Sequence, residues 1–443
     1  MGILKITNAN NGCLNCCMKR FMSSLISKTS ASGRSKLHVF SGVDSAPTTA
    51  AQLSAILCQE LSATENKDNN NVDVVASSEL NSEQITTSTS SMFSMPKYTS
   101  QLTTKTMGRT VLYSPVLHST QTVMQSVCNK IPRGTVCVAD QQTAGRGRGK
   151  NVWYSPPGCL LFSFTFATSD GQNLPFAQYL MSLALVKAVH RLSGCQDLPV
   201  KIKWPNDIYA ADVEVKEKEQ VSSTNSTGDK AAKPRKPSTS SSTLDYSSFT
   251  PPPKHGNYTK IGGVLCQSSY DYSSKSFVVV AGVGLNVSNS APTTCLQSLH
   301  TATDDTTTTT ATATAVNREL VLSHFFNELE PMLERFNVSG FDTFYDDYIQ
   351  EWLHTGQKVM VCDLIERRKQ GEAFVQGVDG SGGGGGGGSS DGVHGNLDQT
   401  EVTIIGVAES SGLLAIDGKG QKYELLPDGN SFNFMDGLIK RKI

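Results

Sequence analysis

Several features that would classify a chain at once are missing from this one. No apolar run approaches the ~18–20 residues that a membrane helix needs, and the longest candidate, Phe277 to Val287, reads as a buried strand, so no membrane role is expected. Net charge is −1, which gives no general basic face for nucleic acid, and a DNA partner is not expected. Eleven cysteines are scattered without a framework. The one Cys-x-x-Cys is Cys13/Cys16, and no second ligand pair follows at zinc spacing, so the plain reading is reduced thiols in an intracellular protein. No His-Glu-x-x-His occurs, which removes the zincin reading. Residues 1–43 contain no Asp or Glu but carry Lys5, Lys19, Arg20, Lys28, Arg34 and Lys36 among serines. That is the composition of an organelle transit peptide, giving a chloroplast or mitochondrial address if it acts as one and a cytoplasmic address if it does not. Gly2 does not make a myristoylation site, because Ile6 stands where Ser or Thr is wanted.

Only 38% of the residues are hydrophobic, so part of the chain is expected to build no core. Residues 44–104 stay polar, and 1–104 together read as a disordered extension. Order is expected from about Gly108, in a domain over 105–354 that carries two low-complexity inserts, 211–257 and 301–315. Its strands are expected at 109–113, 134–139, 160–166, 200–203, 258–266 and 277–287. One helix opens at Pro175, with Phe176, Tyr179, Leu180, Leu183 and Val186 on one face and Gly194 ending it. His190 on that helix reads as an ordinary helical histidine. A second helix carries Leu322, Phe325, Phe326, Leu329, Leu333 and Phe336, with a kink expected at Pro331. From Gly356 the apolar period falls to two, and short strands near 358–362, 402–407, 412–416 and 422–426 suggest a small β-barrel over 355–443, with a glycine-rich insert at 371–399.

Three stretches carry chemistry. Gly145-Arg-Gly-Arg-Gly-Lys150 alternates glycine with cations ahead of a buried strand. Backbone N–H groups in such a loop can cradle an anion, and arginine forks match phosphate or carboxylate oxygens. It is not a P-loop, since Ala144 and Asn151 stand where Gly and Ser or Thr are required. Taken as chemistry alone, it points to phosphate or adenylate handling, with binding of acidic partners as the alternative. Val200-Lys-Ile-Lys-Trp-Pro-Asn-Asp207 ends a strand in a turn that offers an amide and a carboxylate. Lys260-Ile-Gly-Gly263 and Gly282-x-Gly-x-Asn286 put glycines inside strands, which usually marks a close approach of backbone or ligand.

These motifs, in this order and at these separations, closely resemble the biotin–protein ligases, or holocarboxylase synthetases. Glu424-Leu-Leu-Pro-Asp-Gly-Asn-Ser-Phe-Asn-Phe434 resembles their plant-type branch. The resemblance spans roughly 108–210, 258–362 and 400–443. It implies an α/β (α+β) fold: a mixed sheet with helices in a catalytic domain of the class II aminoacyl-tRNA synthetase type, plus a carboxy-terminal SH3-like barrel. It implies ATP, Mg²⁺ and biotin, with biotinyl-5′-AMP formed first and biotin then passed to a lysine on the biotin-carrier domain of a carboxylase. Carried over residue by residue, Ser119, Thr120, Gln121 and Gln142 stand at the biotin site. Arg146, Gly147 and Arg148 form the loop over the ligand, with Arg148 also on the nucleotide side, Lys260 lies near the carboxylate and α-phosphate, and Lys260, Arg146 and Arg148 are the expected catalytic residues. Gly145, Trp153, Lys203, Asn206, Asp207 and Asn286 fall on the nucleotide side, with Mg²⁺ expected near Asp207. Trp153 and Trp204 are open between plain core and ligand packing. The family's bacterial members often have Asn where Gln121 stands, and no DNA-binding winged helix is recognisable in this N-terminus. The rival within the fold is a lipoate–protein ligase or octanoyl transferase; the rival outside catalysis is a biotin sensor. A homodimer is left open by the sequence.

Overall fold

The apolar runs of the sequence become the inner strands of one mixed sheet. The computed structural model describes residues 35–40, 50–63, 72–76, 92–149, 151–211, 258–303, 315–363, 398–426, 430–433 and 438–441. Outside them lie most of the candidate transit peptide, Cys13–Cys17, Lys150, residues 212–257, the glycine run 382–388 and parts of the Glu424–Phe434 motif. The chain divides into two units, 1–353 and 354–443.

In chain order the first unit holds β1 (Ser35–Phe40), α1 (Ala50–Ala63), β2 (Val72–Ala76), α2 (Met95–Ser100), β3 (Val111–Leu117), α3 (Thr120–Val127), β4 (Val136–Gln142), β5 (Gly145–Arg146), β6 (Val152–Trp153), β7 (Cys159–Thr168), α4 (Ala177–His190), β8 (Val200–Lys203), β9 (Asp207–Ala211), β10 (Tyr258–Asp271), β11 (Ser276–Asn286), α5 (Leu296–Thr303), α6 (Arg318–Ser339) and α7 (Tyr345–Glu351). Nine strands join in the order β2-β1-β3-β4-β7-β11-β10-β9-β8. The β1/β2 and β3/β4 pairs are parallel and the rest antiparallel. A two-stranded hairpin, β5–β6, stands apart from this sheet.

Strand β7 is buried nearly end to end because both of its faces are covered. Phe162 and Phe164 meet Phe325 and Phe326 of α6 edge-on, with ring centroids 5.2 Å apart for Phe162–Phe325 and 5.3 Å for Phe164–Phe326. Ser163, between them in sequence, points to the opposite face, as strand alternation requires. That opposite face is covered by α1 and α3, where Leu53, Leu57 and Leu61 pack with Val123, Met124, Val127, Cys128 and Ile131 over Cys137, Ala139, Val278 and Val280. A buried ion pair, Arg318 Nη2 to Asp140 Oδ1 at 2.9 Å, ties the start of α6 to β4. The same carboxylate accepts from Tyr113 Oη at 2.6 Å and from the Phe93 amide at 3.1 Å. Burial pushes the Asp140 carboxyl above its ordinary range, and the Arg318 guanidinium pulls the other way.

Several expectations need correction. Residues 1–104 were expected to lack packed structure, yet β1, α1 and β2 form a β–α–β unit joined to β3, and α2 follows. The signal was there in Leu53-x₃-Leu57-x₃-Leu61, one apolar residue per helical turn, diluted by a polar surrounding sequence. The expected low-complexity insert 301–315 begins inside α5, which runs to Thr303; residues 304–314 lie outside the described set. Helix α4 ends at His190, and Gly194 lies beyond it with φ +74°. Helix α6 carries Pro331 inside it, at an exposed position, as the sequence placed it.

The second unit has β12 (Lys358–Asp363), β13 (Asp398–Val407), β14 (Leu413–Asp417), β15 (Lys422–Leu425), β16 (Asn430–Asn433) and β17 (Leu438–Arg441). Their order is β15-β14-β13-β12-β17-β16. Among the described residues this sheet is open: its end strands do not pair, in contrast to the closed barrel expected from the strand pattern.

Candidate active site

The register of the sheet assembles a floor without side chains. Gly282 stands opposite Ser163 on β7, and Gly284 stands opposite Gly263 on β10, which is in turn opposite Asp207 on β9. Strand alternation turns these positions to the face that carries α3. A Cβ on Gly284 would sit 2.5 Å from Trp153 Cε2, and one on Gly263 would sit 3.2 Å from Asp207 Oδ1. A Cβ on Gly282 would run into Gln121 Oε1. The glycines inside these strands are therefore required by close approach, as the sequence suggested.

Around this floor the cations gather. Lys260 Nζ binds Asp207 Oδ1 at 2.6 Å and lies 6.0 Å from the Trp153 ring centroid. Arg148 Nη1 donates to Asn206 Oδ1 at 3.0 Å. Asn206 is held in turn by its Nδ2 donating to Val264 O and its own carbonyl accepting from Val264 N at 2.8 Å. Lys203 Nζ rests 5.3 Å from the Tyr209 ring centroid. Burial lowers the Lys203 pKa, Asp207 opposes that, and the charges of Lys260 and Arg148 push it down further. Three cations that repel one another beside a single carboxylate make a place where an anion is welcome. The turn that carries them follows from Trp204-Pro-Asn-Asp207, which stops β8 and starts β9. Trp204 itself is core: it is 4% exposed, and its Nε1 donates to Tyr179 Oη at 2.7 Å.

The other end of the floor is polar and nearly uncharged. Gln142 Oε1 accepts from the Thr120 amide at 2.7 Å and from Thr120 Oγ1 at 3.1 Å, while Thr120 Oγ1 meets Ser163 Oγ at 2.9 Å. Gln142 Nε2 reaches Ser155 Oγ at 3.4 Å. Ser119 caps α3, its side chain accepting from Thr122 N at 3.4 Å. Gln121 Nε2 donates to Gln267 Oε1 and to Val280 O, each at 3.2 Å, and its Oε1 is buried without a partner. Trp153 Nε1 is likewise buried and unpaired. Ser155 and Ser163 were not legible as site residues, because each matters through a partner distant in sequence.

The glycine–arginine stretch forms the β5–β6 hairpin, pairing Gly145 with Trp153 and Arg146 with Val152. Gly147 N donates to Asn151 O at 2.9 Å across its tip. One hairpin thus carries Arg146, Arg148 and Trp153, and Arg146 is exposed. Asn286 is spent on the protein: its Nδ2 donates to Thr293 Oγ1 at 2.8 Å and to Thr294 O at 3.3 Å, and Cys159 Sγ donates to its Oδ1 at 3.4 Å. It joins the site indirectly, since Thr293 Oγ1 donates to Lys260 O at 3.2 Å. His190, bound to Leu198 O at 3.2 Å, stays outside the site. Among the described residues no group of three or more His, Cys, Asp or Glu could hold a metal ion.

A mixed sheet with a glycine floor, cations at one end, neutral hydrogen-bonding groups at the other and a basic hairpin alongside makes a site whose chemistry suits a partly anionic small molecule. The chain belongs to the biotin/lipoate A/B protein ligase family, whose sequence model matches residues 113–286. It is 34% identical over 379 residues to Biotin–protein ligase 1, chloroplastic, of Arabidopsis thaliana, spanning 85% of this chain and 80% of that one. Biotin–protein ligase 2 of the same plant is also 34% identical over 379 residues, spanning 85% of this chain and 90% of its own length. Among solved structures, the biotin protein ligase of Aquifex aeolicus in complex with biotin and ATP matches with a TM-score of 0.45 and 18% identity, covering 76% of this chain and all of the other.

Proposed function

We propose that this protein is an ATP-dependent biotin–protein ligase. In the first half-reaction a carboxylate oxygen of biotin attacks the α-phosphorus of ATP, giving biotinyl-5′-AMP and pyrophosphate. In the second, the ε-amine of a lysine on a carboxylase's biotin-carrier domain attacks the acyl carbon. AMP leaves and the amine loses a proton. The observation that carries this reading is the grouping of Arg148, Lys203 and Lys260 at one end of a side-chain-free floor, with the neutral Gln142–Thr120–Ser163 set at the other. The first step brings two anions together. Preorganised cations lower that repulsion without reorganising at the moment of reaction.

In this reading biotin's neutral rings lie among Ser119, Thr120, Gln121 and Gln142. Its carboxylate and the α-phosphate meet Lys260, released from Asp207 or shared with it. Arg146, Gly147 and Arg148 close over the acyl-adenylate and shield it from water. Gly145, Trp153, Lys203 and Asn206 serve the nucleotide, and Asn286 shapes that side through the Thr293 segment. The donor set suits Mg²⁺ only as a companion of the nucleotide: Asp207 supplies one carboxylate, already paired with Lys260, and phosphates and water would complete the shell. We read the first unit as the class II synthetase type, which its mixed sheet supports, and the second as SH3-like, which its short antiparallel strands support. Residues 105–354 would be the catalytic domain, and one plant relative is named chloroplastic, which favours the transit-peptide reading of the N-terminus. A homodimer remains part of the proposal.

Biotin-dependent exchange of labelled pyrophosphate into ATP tests the first half-reaction directly. Exchange that needs biotin and is not inhibited by lipoate supports the ligase. Exchange driven by lipoate would move the protein to the lipoate branch of the family, and binding of biotin without exchange would make it a sensor.

A further inference from the structure

Three glutamines link the basic hairpin to the sheet. Gln121 and Gln125 lie four residues apart on α3, side by side on one helical face. Gln267, on β10, offers one carbonyl oxygen to both: it accepts from Gln121 Nε2 at 3.2 Å and from Gln125 Nε2. Gln125 Oε1 then accepts from Arg146 Nη1 at 3.1 Å. The directions matter. Because Gln267 acts as acceptor for two amides, each of those amides turns its nitrogen toward it and its oxygen away. One freed oxygen reaches Arg146. The other, Gln121 Oε1, is left buried and unpaired against Gly282. A buried acceptor without a donor costs free energy until something supplies one, so it is an outlier that asks for a ligand.

We propose that Gln125 and Gln267 are positioning residues, a polar relay that holds Arg146 of the hairpin in place and aims the Gln121 carbonyl oxygen into the site for an N–H of the ligand. The proposal rests on the ligase reading for the identity of that ligand, biotin, and on the hydrogen bonds alone for the hairpin. Arg146 is exposed and belongs to a hairpin of two residue pairs, so without Gln125 little fixes its side chain. With Gln125 in turn fixed by Gln267, the hairpin is tied to a long, well-paired strand, since β10 meets β11 from Gly262 to Asp271.

The test uses the full chain with Gln125→Leu, Gln267→Leu, the double variant and Gln267→Glu. Glutamate at 267 keeps an oxygen for both amides, whereas leucine keeps only the volume. The first readout is the rate of trypsin cleavage after Arg146 and Arg148 without ligand; the second is KM for biotin against kcat in pyrophosphate exchange. Both leucine variants are expected to be cleaved roughly threefold to tenfold faster and to raise KM for biotin by a similar factor, with kcat within about twofold of wild type. Gln267→Glu should stay near wild type. The double variant should be no worse than either single, as members of one relay couple. Wild-type cleavage and KM in Gln125→Leu overturn the relay. So does a Gln267→Glu variant as impaired as Gln267→Leu, since packing alone would then explain the loss. A wild-type chain without biotin-dependent exchange overturns the ligase reading instead, and the cleavage comparison still decides the relay.

Discussion

Substituting Gly284 by alanine tests how the floor and the hairpin depend on each other. The new Cβ would lie 2.5 Å from Trp153 Cε2 and 2.6 Å from Trp153 Nε1. Ordinary carbon contacts fall at ~3.5–4.0 Å, so something must move by about 1 Å. Strand β11 cannot: it is hydrogen-bonded to β7 from Phe277 to Asn286 and to β10 from Ser276 to Leu285. The β5–β6 hairpin can, because only two residue pairs hold it together. If the indole stayed, overpacking would cost about 1–3 kcal/mol. We expect it to lift instead. Global stability should then fall by less than about 1 kcal/mol, while the placement of Trp153, Arg146 and Arg148 over the floor is lost. The KM for ATP in pyrophosphate exchange should rise roughly tenfold, equivalent to about 1.4 kcal/mol of binding. Tryptophan fluorescence should report a changed environment for Trp153. In a Trp153→Ala background the same glycine substitution has nothing to strike and should add no further loss. Unchanged KM and unchanged fluorescence in Gly284→Ala would mean that the floor does not set the position of Trp153, as would a full additional loss in the Trp153→Ala background.

Gly282→Ala should act at the other end of the floor, displacing Gln121 and raising KM for biotin while leaving KM for ATP near wild type; steady-state kinetics with each substrate varied separates the two. Arg318→Leu leaves the Asp140 carboxylate buried without its partner and should destabilise the first unit by about 3–5 kcal/mol in urea unfolding. Glu330 accepts from the amides of Lys105 at 2.6 Å, Thr106 at 2.8 Å and Met107 at 2.9 Å. Partial burial acts to raise its pKa, but these donors and the Thr106 hydroxyl outweigh it, and the carboxyl ends below its ordinary value. A depressed folded pKa contributes stability above the unfolded value, near ~4.3, and loses it as pH falls through the folded one. Because solvent screens this half-exposed carboxylate, Glu330→Gln should cost less than about 1 kcal/mol at neutral pH, and the gap to wild type should shrink as pH falls below about 4.3.

What could be read from the sequence was local. The alternation in Gly145–Lys150, the broken strand at Trp204–Asp207 and the glycines at 262, 263, 282 and 284 each announce themselves within a few residues, and the sheet register then brings Gly263, Gly282 and Gly284 to one face, with Gly262 turned to the other. Periodicity found α4, α6 and the inner strands for the same reason. What remained hidden depends on partners far apart in the chain. Gln125 meets Gln267 across 142 positions, and Arg318 meets Asp140 across 178. Neither pair leaves a mark in a single sequence. Trp204 could not be told from a ligand-packing residue until its N–H was seen bound to Tyr179 Oη. The β1–α1–β2 unit was obscured by its composition: four leucines and Val39 supply the buried contacts among its described side chains, and serine, threonine and asparagine around them suggest no core.

In the proposed reaction the cations gathered at Asp207 and Asn206 activate biotin for transfer to a protein lysine. Transfer of labelled biotin from biotin and ATP to a purified biotin-carrier domain measures it most directly, with Lys260→Ala and Arg148→Ala run alongside. The wild-type chain should label the carrier in an ATP-dependent manner, and each variant should lose at least about 100-fold, the scale on which preorganised charge acts. Wild-type rates in both variants, or a carrier left unlabelled by the wild-type chain, would contradict this role of the cations.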